Sequence, residues 1–285
     1  GCHSGAYTRA GRVYMWGFNR SGQCGVLPKK RNTVSTPCLL EGQVLLGEAA
    51  GEAKRGVLGM VCGRHHTAVL LSSGAVFSWG AASFGRLGIH DLSSKKTSSP
   101  KRVTTLDHFS VTAIAGGDFH MLALTTDRRV FSWGYGAEGQ CGHGSTLHLR
   151  TPRPVEALRH VLVSKVACGA WHSAALSADG YLYTWGYGDG GWLGHPRPPS
   201  RASKSGGGPD GVPDGGAGFG SAGSQGGQGG EEVCSFDSGH NALSPCLVAA
   251  LSETQVLEVA CGGSHTVVVA LARPAAHKPT AAAVA

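Results

Sequence analysis

Long apolar runs, charge and paired cysteines are all scarce in this chain, and each scarcity closes off a class of function. No run of about eighteen apolar residues occurs, so no membrane-spanning helix is predicted and no membrane contact is expected. No N-terminal segment has the layout of a secretory signal. The nine cysteines are odd in number and show no tight pairing pattern. That usage predicts a reducing, intracellular location, cytoplasmic and/or nuclear, and argues against a disulfide framework. Catalytic signatures are missing as well. There is no Gly-x-Ser-x-Gly and no His-Glu-x-x-His, and the glycine-rich tract at 206–230 has no Gly-Lys-Ser/Thr to cradle a phosphate. The expectation is therefore no enzyme, no cofactor, no metal and no small-molecule substrate. The chain opens with Gly1 in place of Met, which predicts a piece of a longer protein.

Charged residues make up only 15% of the 285 positions, yet the net charge is +7. A basic balance of this size favours an acidic protein surface or nucleic acid as partner. Glycine is abundant, at 46 residues. Part of it lies in the Gly/Ser-rich stretch 200–232, which reads as a disordered insertion. The rest recurs at fixed intervals.

Those intervals define a repeat. Trp16, Trp79, Trp133 and Trp185 each precede a glycine. Six residues after them stand Gly22, Gly85, Gly139 and Gly191. Thirteen residues before them stand His3, His66, His120 and His172. A fifth copy of the histidine motif contains His265, but the position thirteen residues on is Lys278. A Ser/Thr-Pro pair gives a further register at Pro37, Pro100, Pro152 and Pro245.

Between histidine and tryptophan the pattern has period two, as in Thr67–Leu71, a turn at Ser72-Ser73-Gly74, and Val76–Trp79. That is a β-hairpin. Apolar residues occupy both faces of the return strand, which predicts a sheet packed between two others. Radially arranged blades supply that setting. The predicted fold is all-β: an incomplete β-propeller of tandem repeats of ~50 residues, with four-stranded antiparallel blades, about four to five in number. The repeats divide as 1–59 (with an insertion near 47–55), 60–113, 114–165, 166–258 (carrying the 200–232 insertion) and a partial 259–271, followed by a flexible tail at 272–285.

The recurring residues read as structural. Each tryptophan is expected to wedge between blades, and each histidine to be a buried hydrogen-bonding link, because one per repeat is too regular for a catalytic constellation. Cys62, Cys168 and Cys261 recur once per blade, too far apart for a shared metal, and read as small buried thiols. Gly134–Gly139 and Gly186–Gly191 both fit G-x-G-x-x-G, but no helix is predicted to follow, so they read as turns. The segments between each Trp-Gly and the next proline should emerge on one face. In the first two repeats they are basic, with Arg20, Lys29, Lys30 and Arg31, then Arg86, Lys95 and Lys96. These residues are the candidate partner-binding patch.

Taken together, Cys-Gly-x-x-His-Thr, Val-Phe-x-Trp-Gly and Gly-Gln-Cys-Gly-His closely resemble the regulator of chromosome condensation repeat family. The run Arg129–Gly144 is the clearest copy. The resemblance implies a propeller that usually has seven blades. It also implies a choice of roles. The founding member is a chromatin-bound guanine-nucleotide exchange factor for the small GTPase Ran. Others are substrate-recognition propellers of HECT-type ubiquitin ligases, regulatory domains of kinases, or a plant ultraviolet-B receptor. The receptor's tryptophan series is missing, since Arg64, Asp118, Ala170 and Gly263 hold those positions. The expected function is a protein-binding scaffold that docks partners through loops on one face. The alternatives are an exchange factor for a Ran-like GTPase, and a recognition or regulatory propeller of a larger ligase or kinase.

Overall fold

A computed structural model describes residues 1–8, 11–26, 32–40, 56–90, 94–196, 234, 236–237 and 240–273. The expected insertions near 47–55 and at 200–232, and nearly all of the 272–285 tail, lie outside the described residues.

The described residues form five antiparallel sheets in sequence order. The first holds β1 (His3–Tyr7), β2 (Val13–Phe18) and β3 (Thr33–Leu39). The second holds β4 (Val57–Cys62), β5 (His66–Leu71), β6 (Val76–Ala81) and β7 (Lys96–Arg102). The third holds β8 (Val111–Gly116), β9 (His120–Thr125), β10 (Val130–Gly134) and β11 (Leu149–Pro154). The fourth holds β12 (Val163–Cys168), β13 (His172–Ser177), β14 (Leu182–Gly186) and β15 (Ala242–Leu247). The fifth holds β16 (Thr254–Cys261) and β17 (Thr266–Ala272). Among the described residues no helix is long and apolar enough to cross a membrane.

Neighbouring strands pair in chain order within each sheet, the meander expected of a propeller blade. The histidine–tryptophan spacing becomes a hairpin in which His66 faces Gly80 and Thr67 faces Trp79, and the same register recurs at His120/Gly134 and His172/Gly186. Strand β4 packs against β8, β8 against β12, and β12 against β16. Pro37, Pro100, Pro152 and Pro245 all fall in the outermost strand of their sheet, where a missing N–H breaks no further ladder.

The second to fifth sheets start three to five residues ahead of the boundaries expected from the motifs: Val57 against 60, Val111 against 114, Val163 against 166, Thr254 against 259. The first strand of these four sheets carries only a loose apolar pattern, and each is interrupted by a register shift, as between Val57 and Gly59. Its start therefore has no fixed residue to mark it.

The core is not one body but a series of layers between sheets. On β5, Val69 and Leu71 pack toward the first sheet, while Ala68 and Leu70 pack toward the third. On β6, Phe77 and Trp79 join the first layer and Val76 the second. That alternation is the strand period of two with both faces buried, as the sequence pattern predicts.

Candidate partner-binding face

The strand ends divide the molecule into two faces. One carries the β4–β5, β8–β9 and β12–β13 turns together with the β2–β3, β6–β7, β10–β11 and β14–β15 connections. Those sequence-predicted residues that are described gather at this end, but they do two different things.

The tryptophans and histidines bind blade to blade. Trp79, Trp133 and Trp185 are wholly buried, and each indole N–H donates to a carbonyl of the preceding repeat: Gln23 at 2.9 Å, Arg86 at 3.1 Å and Gln140 at 3.0 Å. Each indole meets a glycine of that same preceding loop. A Cβ on Gly25, Gly88 or Gly142 would lie 2.7, 2.9 or 2.8 Å from the next indole nitrogen, and all three hold positive φ. The glycine nine residues after one tryptophan is thus shaped by the next tryptophan.

The histidines reach forward. His3 Nε2 bonds Thr67 Oγ1 at 2.8 Å, His120 Nε2 bonds Ser173 Oγ at 2.9 Å, and His172 Nε2 bonds Thr266 Oγ1 at 2.9 Å. Each hydroxyl gives its only proton to a backbone carbonyl, Thr67 to Gln23, Ser173 to Gln140 and Thr266 to Trp192. The imidazole Nε2 must therefore carry the proton that the hydroxyl accepts. His66 departs from this scheme and meets Met121 Sδ at 3.2 Å. Burial holds these rings neutral, pushing His3 and His172 down to about 4 and His120 to about 3. A Cβ on Gly63, Gly117 or Gly169 would strike the ring of the following histidine within 2.5 Å, which fixes glycine in the Gly-x-x-His motif. Cys24 and Cys141 are fully buried, and desolvation pushes Cys141 up to about 12. They are packing residues in the setting they share with Leu87 and Leu193.

At the ends of the array the pattern loosens. Trp16 is only half-buried, having no preceding sheet among the described residues. His265 is exposed, unlike the four buried histidines. Gly22, Gly85 and Gly139 abut the outer strand of the next blade at Ser98, Arg150 and Leu243, whereas a Cβ on Gly191 meets nothing within 4 Å.

The basic patch is also sorted by the structure. Arg20, Lys95 and Lys96 are exposed, and Lys96 Nζ donates to the Arg20 carbonyl at 3.0 Å, so the loops of the first two blades touch. Lys29, Lys30 and Arg31 lie outside the described residues. Arg86 requires a correction. It is 1% exposed, its Nε donates to Ser83 O at 3.0 Å, and its guanidinium sits 4.6 Å from the centre of the Phe119 ring. It is an internal cation and presents no charge to a partner. Its register gives the reason: Gln23 and Gln140, seven residues after their own tryptophans, are equally buried.

Sequence reasoning passed over an aromatic cluster on the same face. Phe84 packs edge-on against Tyr135 at 4.9 Å and His148 at 5.0 Å, Tyr135 stacks on His148 at 4.7 Å, and Phe119 meets Trp171 at 5.1 Å. The signal was present in register: Phe119 and Trp171 each precede the repeat histidine, and Tyr135 stands two residues after Trp133. Beyond this cluster the charge changes sign. Glu138 and Asp237 lie near the fourth sheet, both held by Asn241 Nδ2 at 2.7 and 3.0 Å, and burial followed by the Asp237 charge raises the Glu138 pKa. Among the described residues, exposed cations on the loops of the first two sheets thus give way to the carboxylates Glu138 and Asp237 near the fourth.

The comparisons with known proteins agree with this architecture. The model for the regulator of chromosome condensation (RCC1) repeat matches residues 10–70, 73–124 and 127–176. The mouse E3 ubiquitin-protein ligase HERC2 is 37% identical over 186 residues, 65% of this chain and 4% of that protein. The human probable E3 ubiquitin-protein ligase HERC4 is 35% identical over 195 residues, 67% of this chain and 17% of that one. The chain thus spans a small part of these relatives. Among solved structures, Saccharomyces cerevisiae Prp20p superposes with a TM-score of 0.68 at 20% identity, covering 96% of this chain and 55% of that one. Human WBSCR16 gives 0.66 at 23%, covering 95% and 56%. With the repeat model spanning more than half of its residues, the chain belongs to the regulator of chromosome condensation repeat family.

Proposed function

We propose that this chain is a protein-docking propeller, the recognition part of a larger protein, which grips an acidic partner surface with the loop face of blades one and two. The observation that carries the reading is a division of labour. The repeat's tryptophans and histidines are consumed in blade-to-blade bonds, while Arg20, Lys95 and Lys96 stand exposed on adjoining loops of one face. Cations placed this way steer and hold an acidic surface. The similarity to HERC-type ligases supports a recognition role within a larger chain. Cytoplasm and nucleus are the proposed locations.

Affinity purification of the full chain tests the reading. Reversing Arg20, Lys29, Lys30, Arg31, Lys95 and Lys96 to glutamate should abolish capture of its specific partners. Reversal of Arg159, which is exposed at the opposite end of the blades, should not. Unchanged capture of every partner by the reversed variant would refute the proposal. Prp20p is described with binding properties to Gsp1p and histones. The exchange-factor alternative predicts stimulated release of labelled GDP from a Ran-like GTPase, with chromatin as an acidic partner.

A further inference from the structure

One place in the repeat is solvent-facing in two outer strands and hidden in a third. Just after the outer-strand proline stand Cys38, Lys101, Arg153 and Cys246, facing Met15, Ser78, Ser132 and Thr184 in register. Lys101 and Arg153 are exposed and Cys38 is half-buried, whereas Cys246 is 0% exposed. A residue without a counterpart in the other repeats lies against it. The chain from Gly194 to Pro245 is longer than the matching stretches from Gly25 to Pro37, Gly88 to Pro100 and Gly142 to Pro152, and Cys234 enters with the surplus.

Cys234 packs into the same apolar layer as Cys246. Phe236 bridges antiparallel to Ala242, and its ring meets His195 at 5.5 Å. The chain turns back between them: Asp237 N donates to Asn241 O at 3.0 Å, and Asn241 N donates to Asp237 Oδ1 at 2.9 Å. Cys234 and Cys246 thus stand on the two arms of one turn, both as thiols, and the two thiols are hydrogen-bonded to each other. Cys168 and Cys261 also influence each other electrostatically, but the hydrogen bonds of the Cys168 sulfur go to Ser173 and the Leu122 backbone.

We propose that Cys234 and Cys246 are a reversible dithiol–disulfide pair, oxidised by a low-molecular-weight disulfide such as glutathione disulfide, which clasps the turn to the outer strand of blade four. Thiols in hydrogen-bonding contact stand close to the geometry the bond requires. Cys234 is half-buried and Cys246 has no exposed surface, so the first attack falls to Cys234. Its thiolate attacks one sulfur of the oxidant, a mixed disulfide forms, and one glutathione leaves. Cys246 then gives up its proton, its sulfur attacks that of Cys234, and the second glutathione leaves. Two protein thiols are oxidised, one glutathione disulfide is reduced, and the two cysteine protons end on the two glutathione thiols. A bond of this kind suits a reducing compartment, where protein disulfides are transient and redox-sensing. The clasp also reaches the loop face. Asn241 Nδ2 donates to Asp237 Oδ2 at 3.0 Å and to Glu138 Oε2 at 2.7 Å, so closing the bond fixes the turn that holds both carboxylates. It forms whether or not that face holds a partner.

The test equilibrates the full chain in glutathione buffers of rising disulfide fraction. Remaining thiols are blocked with N-ethylmaleimide, and the product is cut with chymotrypsin, which cleaves after Phe236 and Leu243, between the two sulfurs. Mass spectrometry should find Cys234 linked to Cys246 and two fewer blocked thiols, both reversed by dithiothreitol. The oxidised chain should melt at least about 2 °C higher than the reduced one. Cys234→Ala should keep the melting transition of the reduced parent and lose both the link and the rise. Cys234→Ser serves if the first variant loses that transition. Both thiols still blocked in the most oxidising buffer, a glutathione adduct on Cys234 as the end product, a Cys168–Cys261 link in place of the expected one, or the same rise in a folded Cys234 variant would overturn the proposal.

Discussion

The carbonyl oxygen of Gln23 accepts two hydrogen bonds from the neighbouring blade, one from Trp79 Nε1 at 2.9 Å and one from Thr67 Oγ1 at 2.7 Å. A single backbone atom thus joins the loop of one repeat to both strands of the hairpin in the next. Gln140 does the same for Trp185 and Ser173. Because each link crosses a sheet boundary, the sheets are stabilised as neighbours and not singly.

The tryptophans should dominate that stability. Replacing Trp133 with alanine removes a wholly buried ring from the layer between the second and third sheets and leaves Arg86 O without its indole donor. The expected loss is about 3–5 kcal/mol, measured by urea denaturation. A loss below about 1 kcal/mol would contradict the packing described here.

The hydroxyl relay makes a smaller, separable contribution. Ser173→Ala leaves His120 Nε2–H without its acceptor and Gln140 O with one donor fewer. The substitution should cost about 1–3 kcal/mol, the range for orphaning a buried polar group. In a double-mutant cycle with His120→Ala the two losses should fail to add, since both break the same bond. Strict additivity would show that the bond contributes nothing.

Much of this was legible in the sequence because the tightest physical constraints recur once per blade. The thirteen-residue spacing of His120 and Trp133 is a hairpin register, and Gly88 is glycine because the next indole leaves no room for a Cβ. What could not be read is where each side chain finds its partner. His120 bonds not within its own repeat but to Ser173 of the next, a relation that depends on how sheets stack. Arg86 misled for a similar reason. Its charge marks a surface residue in composition terms, yet its place in the repeat is internal, and an arginine can be accommodated there over the Phe119 ring. The aromatic cluster around Phe84 was hidden because its five members come from loops and turns of different blades that only the blade arrangement unites.

Acid should weaken the structure in a defined window. In the unfolded chain these histidines protonate near the ordinary value of 6.5, but in the fold His3 and His172 resist until about pH 4 and His120 until about 3, chiefly through desolvation. The unfolded state therefore binds more protons than the native state below pH 6.5, so stability is full above that value and falls as the pH drops toward 4. Urea midpoints at pH 7.5 and pH 5 should show the fall, and His120→Gln should show a smaller one. Equal falls in both proteins would mean that His120 is not the neutral buried link described.

Arg86 and Lys96 separate folding from binding. Both are cations on segments between Trp79 and Pro100, but one is buried over Phe119 and the other is exposed beside Arg20. Arg86→Ala should lower stability by about 1–3 kcal/mol through lost ring contact and hydrogen bonding. Lys96→Glu should stay within about 0.5 kcal/mol of the parent, as surface substitutions do. The order reverses for an acidic partner, whose association rate should drop with Lys96→Glu and should drop most at low salt, where the field of an exposed charge is least screened. Thermal melts and stopped-flow association at two salt concentrations measure both. A Lys96→Glu variant with parental association rates at low salt would remove this loop from the docking face.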